Sequence, residues 1–87
     1  MDITKPIRIS NHAQIQCNER GVSINEVEES ILNGSIEPAK KNRFQSKLNF
    51  QYNDYWFGTF YHIKQVSPVF VEEENEIVVI TVYSFYF

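Results

Sequence analysis

The chain has 87 residues, 43% of them hydrophobic, and a formal net charge of −3. That length supports one core, so residues 1–87 are expected to form a single domain, and the acidic balance speaks against a strong non-specific nucleic-acid binder. The lone Cys17 forms no intramolecular disulfide and points to a reducing compartment. Charges at Asp2, Lys5, Arg8, Glu19 and Arg20 leave no apolar segment for a secretory leader. The longest aliphatic run, residues 77–80, is far shorter than a membrane span, so a cytoplasmic location without a membrane partner is expected.

Residues 1–9 read as an extended lead-in, because Pro6 disfavours helix at Lys5. A first helix starts near Ser10 or Asn11. Asn11 is a candidate cap with Gln14 three residues on, and Gly21 ends the helix after Arg20. The second helix is marked by Ser23 as N-cap, Glu26 at N3, and Val22 with Val27 as a hydrophobic staple. Ile24, Val27 and Ile31 form its apolar stripe, and Gly34 terminates it.

After Pro38 the pattern changes to strand. Residues 44–52 alternate in their second half, Asn53-Asp54 reads as a turn, and residues 56–66 form a long strand loosened at Gly58. Pro68 cannot donate to a ladder, so it predicts an edge, a bulge or a break before residues 69–71. The strongest strand signal is residues 76–87, E-I-V-V-I-T-V-Y-S-F-Y-F, apolar on both faces and therefore expected to be central and covered on both sides. The predicted fold class is α+β: two N-terminal helices packed on a three- to four-stranded, mainly antiparallel sheet.

Chemistry-bearing residues are few. Two histidines and one cysteine make no zinc site, and no phosphate-binding glycine loop is present, so neither metal nor cofactor is expected. His12 sits in the first turn of a helix, where the dipole favours a neutral base, and Arg20 lies about 80° around the axis and about 12 Å along it. His62 and Lys64, two apart on a strand, are expected to share one face, which either serves phosphate chemistry or, more commonly, is the solvent side of a half-exposed sheet. Tyr83 carries a hydroxyl on the last strand. Lys40, Lys41, Arg43 and Lys47 form a basic stretch compatible with phosphate contact, although such clusters are usually solvated surface. Phe85, Tyr86 and Phe87 suggest a partner interface, including a homodimer through the C-terminal strand.

The stretch S-N-H-A-Q-I-Q-C-N-E-R-G-V-S-I-N-E-V-E-E-S-I, residues 10–31, resembles the opening motif of the prokaryotic domain-of-unknown-function family 4258. That motif is a His-Ala pair, an Arg-Gly helix end and an Ile/Val-Ser opening of the next helix. The closing I-V-V-I-T-V-Y, residues 77–83, is similar to the same family's final strand. The resemblance implies a small α+β fold akin to the RelE- and BrnT-like toxin ribonucleases, with RNA as substrate and a cognate antitoxin or other protein as partner. By position it implies roles for His12, Arg20, Lys64 and Tyr83. Where the family often carries a further Arg on the first helix, this chain has Gln16.

Overall fold

The computed structural model describes residues 4–87; of the lead-in expected over residues 1–9, residues 1–3 lie outside the described residues. The elements run β1 (Ile7–Ile9), α1 (Asn11–Arg20), α2 (Ile24–Asn33), β2 (Ser35–Pro38), β3 (Phe44–Trp56), β4 (Thr59–Glu72) and β5 (Ile77–Tyr86). Among the described residues, five strands form one sheet in the order β1-β5-β4-β3-β2. The expected three or four strands are thus exceeded, because short strands flank the three long ones on both sides. β1 pairs in parallel with the start of β5, and β2 pairs antiparallel with β3. The sheet is therefore mixed, although its three long strands are antiparallel neighbours.

Both helices start and stop where local chemistry dictates. Ser10, not Asn11, caps α1: its Oγ accepts from the Ala13 N–H at 3.1 Å, while the Gln14 side chain donates to the Ile9 carbonyl. Gly21 ends α1 in the left-handed region at φ 68°, and a Cβ there would come within 2.6 Å of the Trp56 ring. The capping box at the start of α2 forms as expected, with Ser23 and Glu26 exchanging bonds. Gly34 is different. Its backbone is extended, and it is needed because a Cβ would press on the Ser30 and Lys47 carbonyls. Val27 and Ile31 are buried as the stripe predicts, whereas Ile24 is exposed.

The long strands depart from the predicted boundaries in three places. Asn53, at φ 47°, does not turn the chain; it is absorbed in an irregularity between Gln51 and Asp54, and β3 continues to Trp56. The reversal is made by Phe57 and Gly58, both at positive φ, the geometry of a two-residue hairpin turn. Of the edge, bulge or break expected at Pro68, the ladder shows a bulge, between Val69 and Phe70. Pro68 itself lies fully buried in β4, the middle strand, opposite Val82 on one side and, by the register of Gln45 with Val69, near Ser46 on the other. The missing proline N–H is replaced: Ser67 Oγ donates to the Ser46 carbonyl at 2.8 Å.

One face of the sheet is covered and one is open. Ala13 and Cys17 of α1 and Val27 and Ile31 of α2 pack on Val66, Phe70, Ile77, Val79 and Val82. Each such burial of an aliphatic or phenyl side chain stabilises by about 2 kcal/mol. β5 is interior, as expected, but its second side is covered only in part: Val78 is buried there, whereas Tyr83 and Phe85 stand exposed. A bulge in β5 opposite Val69 and Phe70 leaves Ile80 unpaired and resets which residues face the helices.

Candidate functional site

β1 is only three residues long, so it pairs with β5 no further than Val79. Beyond that point, among the described residues, the outer edge of β5 has no strand beside it. Side chains of α1 take its place. Gln16 Oε1 accepts from the Val82 N–H at 2.8 Å, and Arg20 Nη1 donates to the Val82 carbonyl at 2.6 Å. The two residues are one helical turn apart, and so meet the same flank. Arg20 then lies over the Tyr83 ring, its Cζ 5.3 Å from the centroid, and Tyr83 in turn stacks on Phe85. The end of α1 is held from below by Ser84 Oγ and the Tyr86 hydroxyl, which both donate to the Arg20 carbonyl.

His12 extends the same strip. It sits one turn before Gln16 and two before Arg20, exposed, while Ala13 and Cys17 on the adjoining stripe are buried. By helical spacing, His12 and Arg20 share one side of α1, separated along the axis by about 12 Å. Of the residues singled out from sequence, His12, Arg20 and Tyr83 belong to this α1–β5 flank.

His62 and Lys64 do not join it, nor do they share a face. The Phe87 carbonyl accepts from both the His62 and Ile63 N–H groups, a bulge that inserts one residue into the alternation of β4. Tyr61 consequently meets Tyr86 under the helices, as Lys64 does, and His62 is turned out against Phe60. His62 Nδ1 lies 3.2 Å from Asn53 Oδ1 and is exposed. Lys64 is buried and fully engaged: its Nζ donates to the Gly21 carbonyl and to Glu26 Oε1, each at 2.8 Å, and sits over the Tyr52 ring. It ties the junction between the helices to the sheet.

The basic stretch also lies elsewhere. Lys40, Lys41 and Arg43 form the β2–β3 turn, and Lys47 approaches Glu37 at 3.9 Å near the exposed edge strand β2. That edge is the one opposite to the β1–β5 side. A shallow hollow of about 450 Å³ lies near it, lined by Asn33, Gly34, Lys47 and Gln65 among others. Among the described residues no three of His, Cys, Asp and Glu come together as a metal site. Burial pushes the Cys17 thiol up from its ordinary pKa, with the Glu26 charge adding to it, so Cys17 is a core residue rather than a nucleophile.

Sequence reasoning missed Gln16 as a working residue. It registered only as a lost cation, yet the Val82 N–H needs an acceptor, which an Arg side chain does not offer. It also missed the stack of Trp56 on Tyr86, centroids 4.9 Å apart, that closes over Gly21.

Two helices on one face of a mixed five-stranded sheet define a small α+β protein. The chain belongs to the family described as Domain of unknown function (DUF4258), whose model matches residues 9–84, from the end of β1 into β5. No curated protein and no solved structure matches it. Among the described residues, no helix is long and apolar enough to cross a membrane.

Proposed function

We propose that the chain is an RNA-cleaving protein of the RelE/BrnT toxin type that works without metal or cofactor at the α1–β5 flank. The observation that carries this reading is the Arg20 guanidinium laid over the Tyr83 ring at a strand edge, with His12 on the same side of the helix. Val82 uses one guanidinium N–H, and among the described residues no acceptor takes the others. Those donors suit a phosphate, and the Tyr83–Phe85 pair suits a stacked base. His12 removes the proton from a ribose 2′-hydroxyl, whose oxygen attacks the adjacent phosphorus. The 5′-oxygen leaves and takes a proton from water, giving a 2′,3′-cyclic phosphate and a 5′-hydroxyl. Two helical turns separate His12 from Arg20, so Arg20 grips a neighbouring phosphate rather than the reacting one. Lys64 and His62 have no part in the step, and a cognate antitoxin covering the flank would silence it.

The test is single-stranded RNA incubated with the protein in excess chelator, with products mapped by their ends. Wild type is expected to release cyclic-phosphate ends, and His12→Ala to release none. RNA left intact by wild type overturns the reading. A non-enzymatic interaction domain is the second reading, favoured by the net charge of −3 and by Gln16 standing where a phosphate-binding cation would be.

A further inference from the structure

The open face of the sheet changes character from one margin to the other. Phe85, Gln65 and Asn49 lie directly opposite one another on β5, β4 and β3, and Tyr83 and Lys47 stand two residues back on the same face. The β5 side of this strip is aromatic, with the exposed Tyr83 and Phe85 rings stacked and Arg20 over Tyr83. The β3 side is built of amides. Gln65 Nε2 donates to Asn49 Oδ1 at 2.9 Å, and both residues line the hollow of about 450 Å³ together with Lys47 and Asn33. With about 4.8 Å between neighbouring strands, β3 lies about 10 Å from β5, so the stacked rings and the hollow are neighbours.

The groups at the hollow have bonding capacity to spare. The Gln65–Asn49 bond takes one donor and one acceptor, and among the described residues Asn49 Nδ2 and Gln65 Oε1 have no partner. A donor beside an acceptor is what an amide offers to a base edge. Lys47 Nζ makes no hydrogen bond among the described residues and comes only within 3.9 Å of Glu37, on the edge strand beyond. Between Tyr83 and Lys47 the face carries no carboxylate, so a neutral strip runs from Arg20 at one margin to Lys47 at the other. That distribution fits an anionic chain laid across the strands. An apolar partner would instead strip water from the amides and the ammonium without replacing it.

We infer that the hollow beside Lys47 is a base subsite for single-stranded RNA, reached across the open face from the α1–β5 flank. One base rests on Tyr83 and Phe85, the next places its edge on Gln65 and Asn49, and Lys47 meets a phosphate beside it. A duplex is refused, because its bases are already paired and stacked. The inference rests on the reading that the chain takes RNA, and gives that reading a second base contact. Fluorescence anisotropy tests it with the His12→Ala protein, which leaves RNA whole, and labelled ten-nucleotide oligo(A), oligo(C), oligo(U) and an RNA duplex. Single strands are expected to bind at least tenfold more tightly than the duplex. Adding Phe85→Ala weakens every oligomer about tenfold, the effect of losing a stacking ring. Gln65→Leu or Asn49→Ala instead changes the ranking of the three bases, and Lys47→Ala lowers the salt slope by about 0.7. Binding indifferent to Gln65, Asn49 and Lys47 overturns the subsite even where wild type cuts RNA, as does failure to bind any single strand. The three effects seen with a wild type that cuts nothing keep the subsite and remove the cleavage reading.

Discussion

The two faces of the sheet are held to different standards. Beneath the helices, polar groups are buried and paired: Lys64 with Glu26 and Gly21, Ser30 with the Glu26 carbonyl, Tyr86 with Arg20. Among the described residues, Ser46 Oγ is the buried side-chain atom without a partner. On the other side, amides bond one another, as Gln65 does Asn49, and aromatic rings stand in solvent. Lys64 and His62 make the contrast sharp. Two residues apart in sequence, one is a structural cation and the other a solvent-facing imidazole. A basic residue in a strand is thus no sign of chemistry until its face is known.

Substitutions on the two faces are expected to separate stability from function. The largest effect belongs to Lys64→Met, which strands the partly buried Glu26 carboxylate and the Gly21 carbonyl. Urea denaturation should show a loss of about 3 kcal/mol, with part recovered on adding Glu26→Gln. Gly21→Ala, strained and driven into Trp56, should cost about 2 kcal/mol in the same assay. Phe57→Asn goes the other way and should raise stability by about 1 kcal/mol, because asparagine tolerates the left-handed backbone of the Xaa-Gly turn; a destabilised variant would show that the Phe57 ring contributes through Trp56.

A pH measurement comes next. Burial raises the Tyr86 pKa, partly offset by its bond with Ser84, so the folded state holds this proton where the unfolded chain begins to lose it. The Tyr86 contribution is therefore complete below the ordinary tyrosine range and is lost as pH rises through the raised value. Thermal midpoints should fall in that alkaline window, and less steeply in Tyr86→Phe. The smallest effect is expected at the exposed Arg8–Glu76 pair, where the neighbouring guanidinium lowers the Glu76 pKa and Arg8 is raised in return. Arg8→Ala should leave the denaturation midpoint where it is.

The helical half was legible because its signals are local. Ser23, Glu26 and Gly21 act within a few residues of themselves, and α2 follows from them directly. That His12 and Arg20 lie on one side of α1 follows for the same reason, from spacing on one helix. What escaped depended on partners distant in sequence. Asn53 resembles a turn residue in isolation, but Phe57-Gly58 closes the hairpin and leaves Asn53 to a bulge. Pro68 is tolerated in the middle strand because Ser67 reaches Ser46, more than twenty positions away in the chain. The separation of His62 from Lys64 arises at the Phe87 carbonyl, and no pattern within β4 announces it. β1 and β2 are too short to carry a periodicity of their own.

The clamp that Gln16 and Arg20 place on Val82 bears on how the chain avoids fibrils. Residues 77–83 are the most strand-prone segment it has, and a bare margin there would template copy upon copy. By answering the Val82 amide and carbonyl with groups from a helix, the molecule denies a foreign backbone its first rung. Loosening α1, rather than the sheet itself, is then the step that would open a route to aggregation.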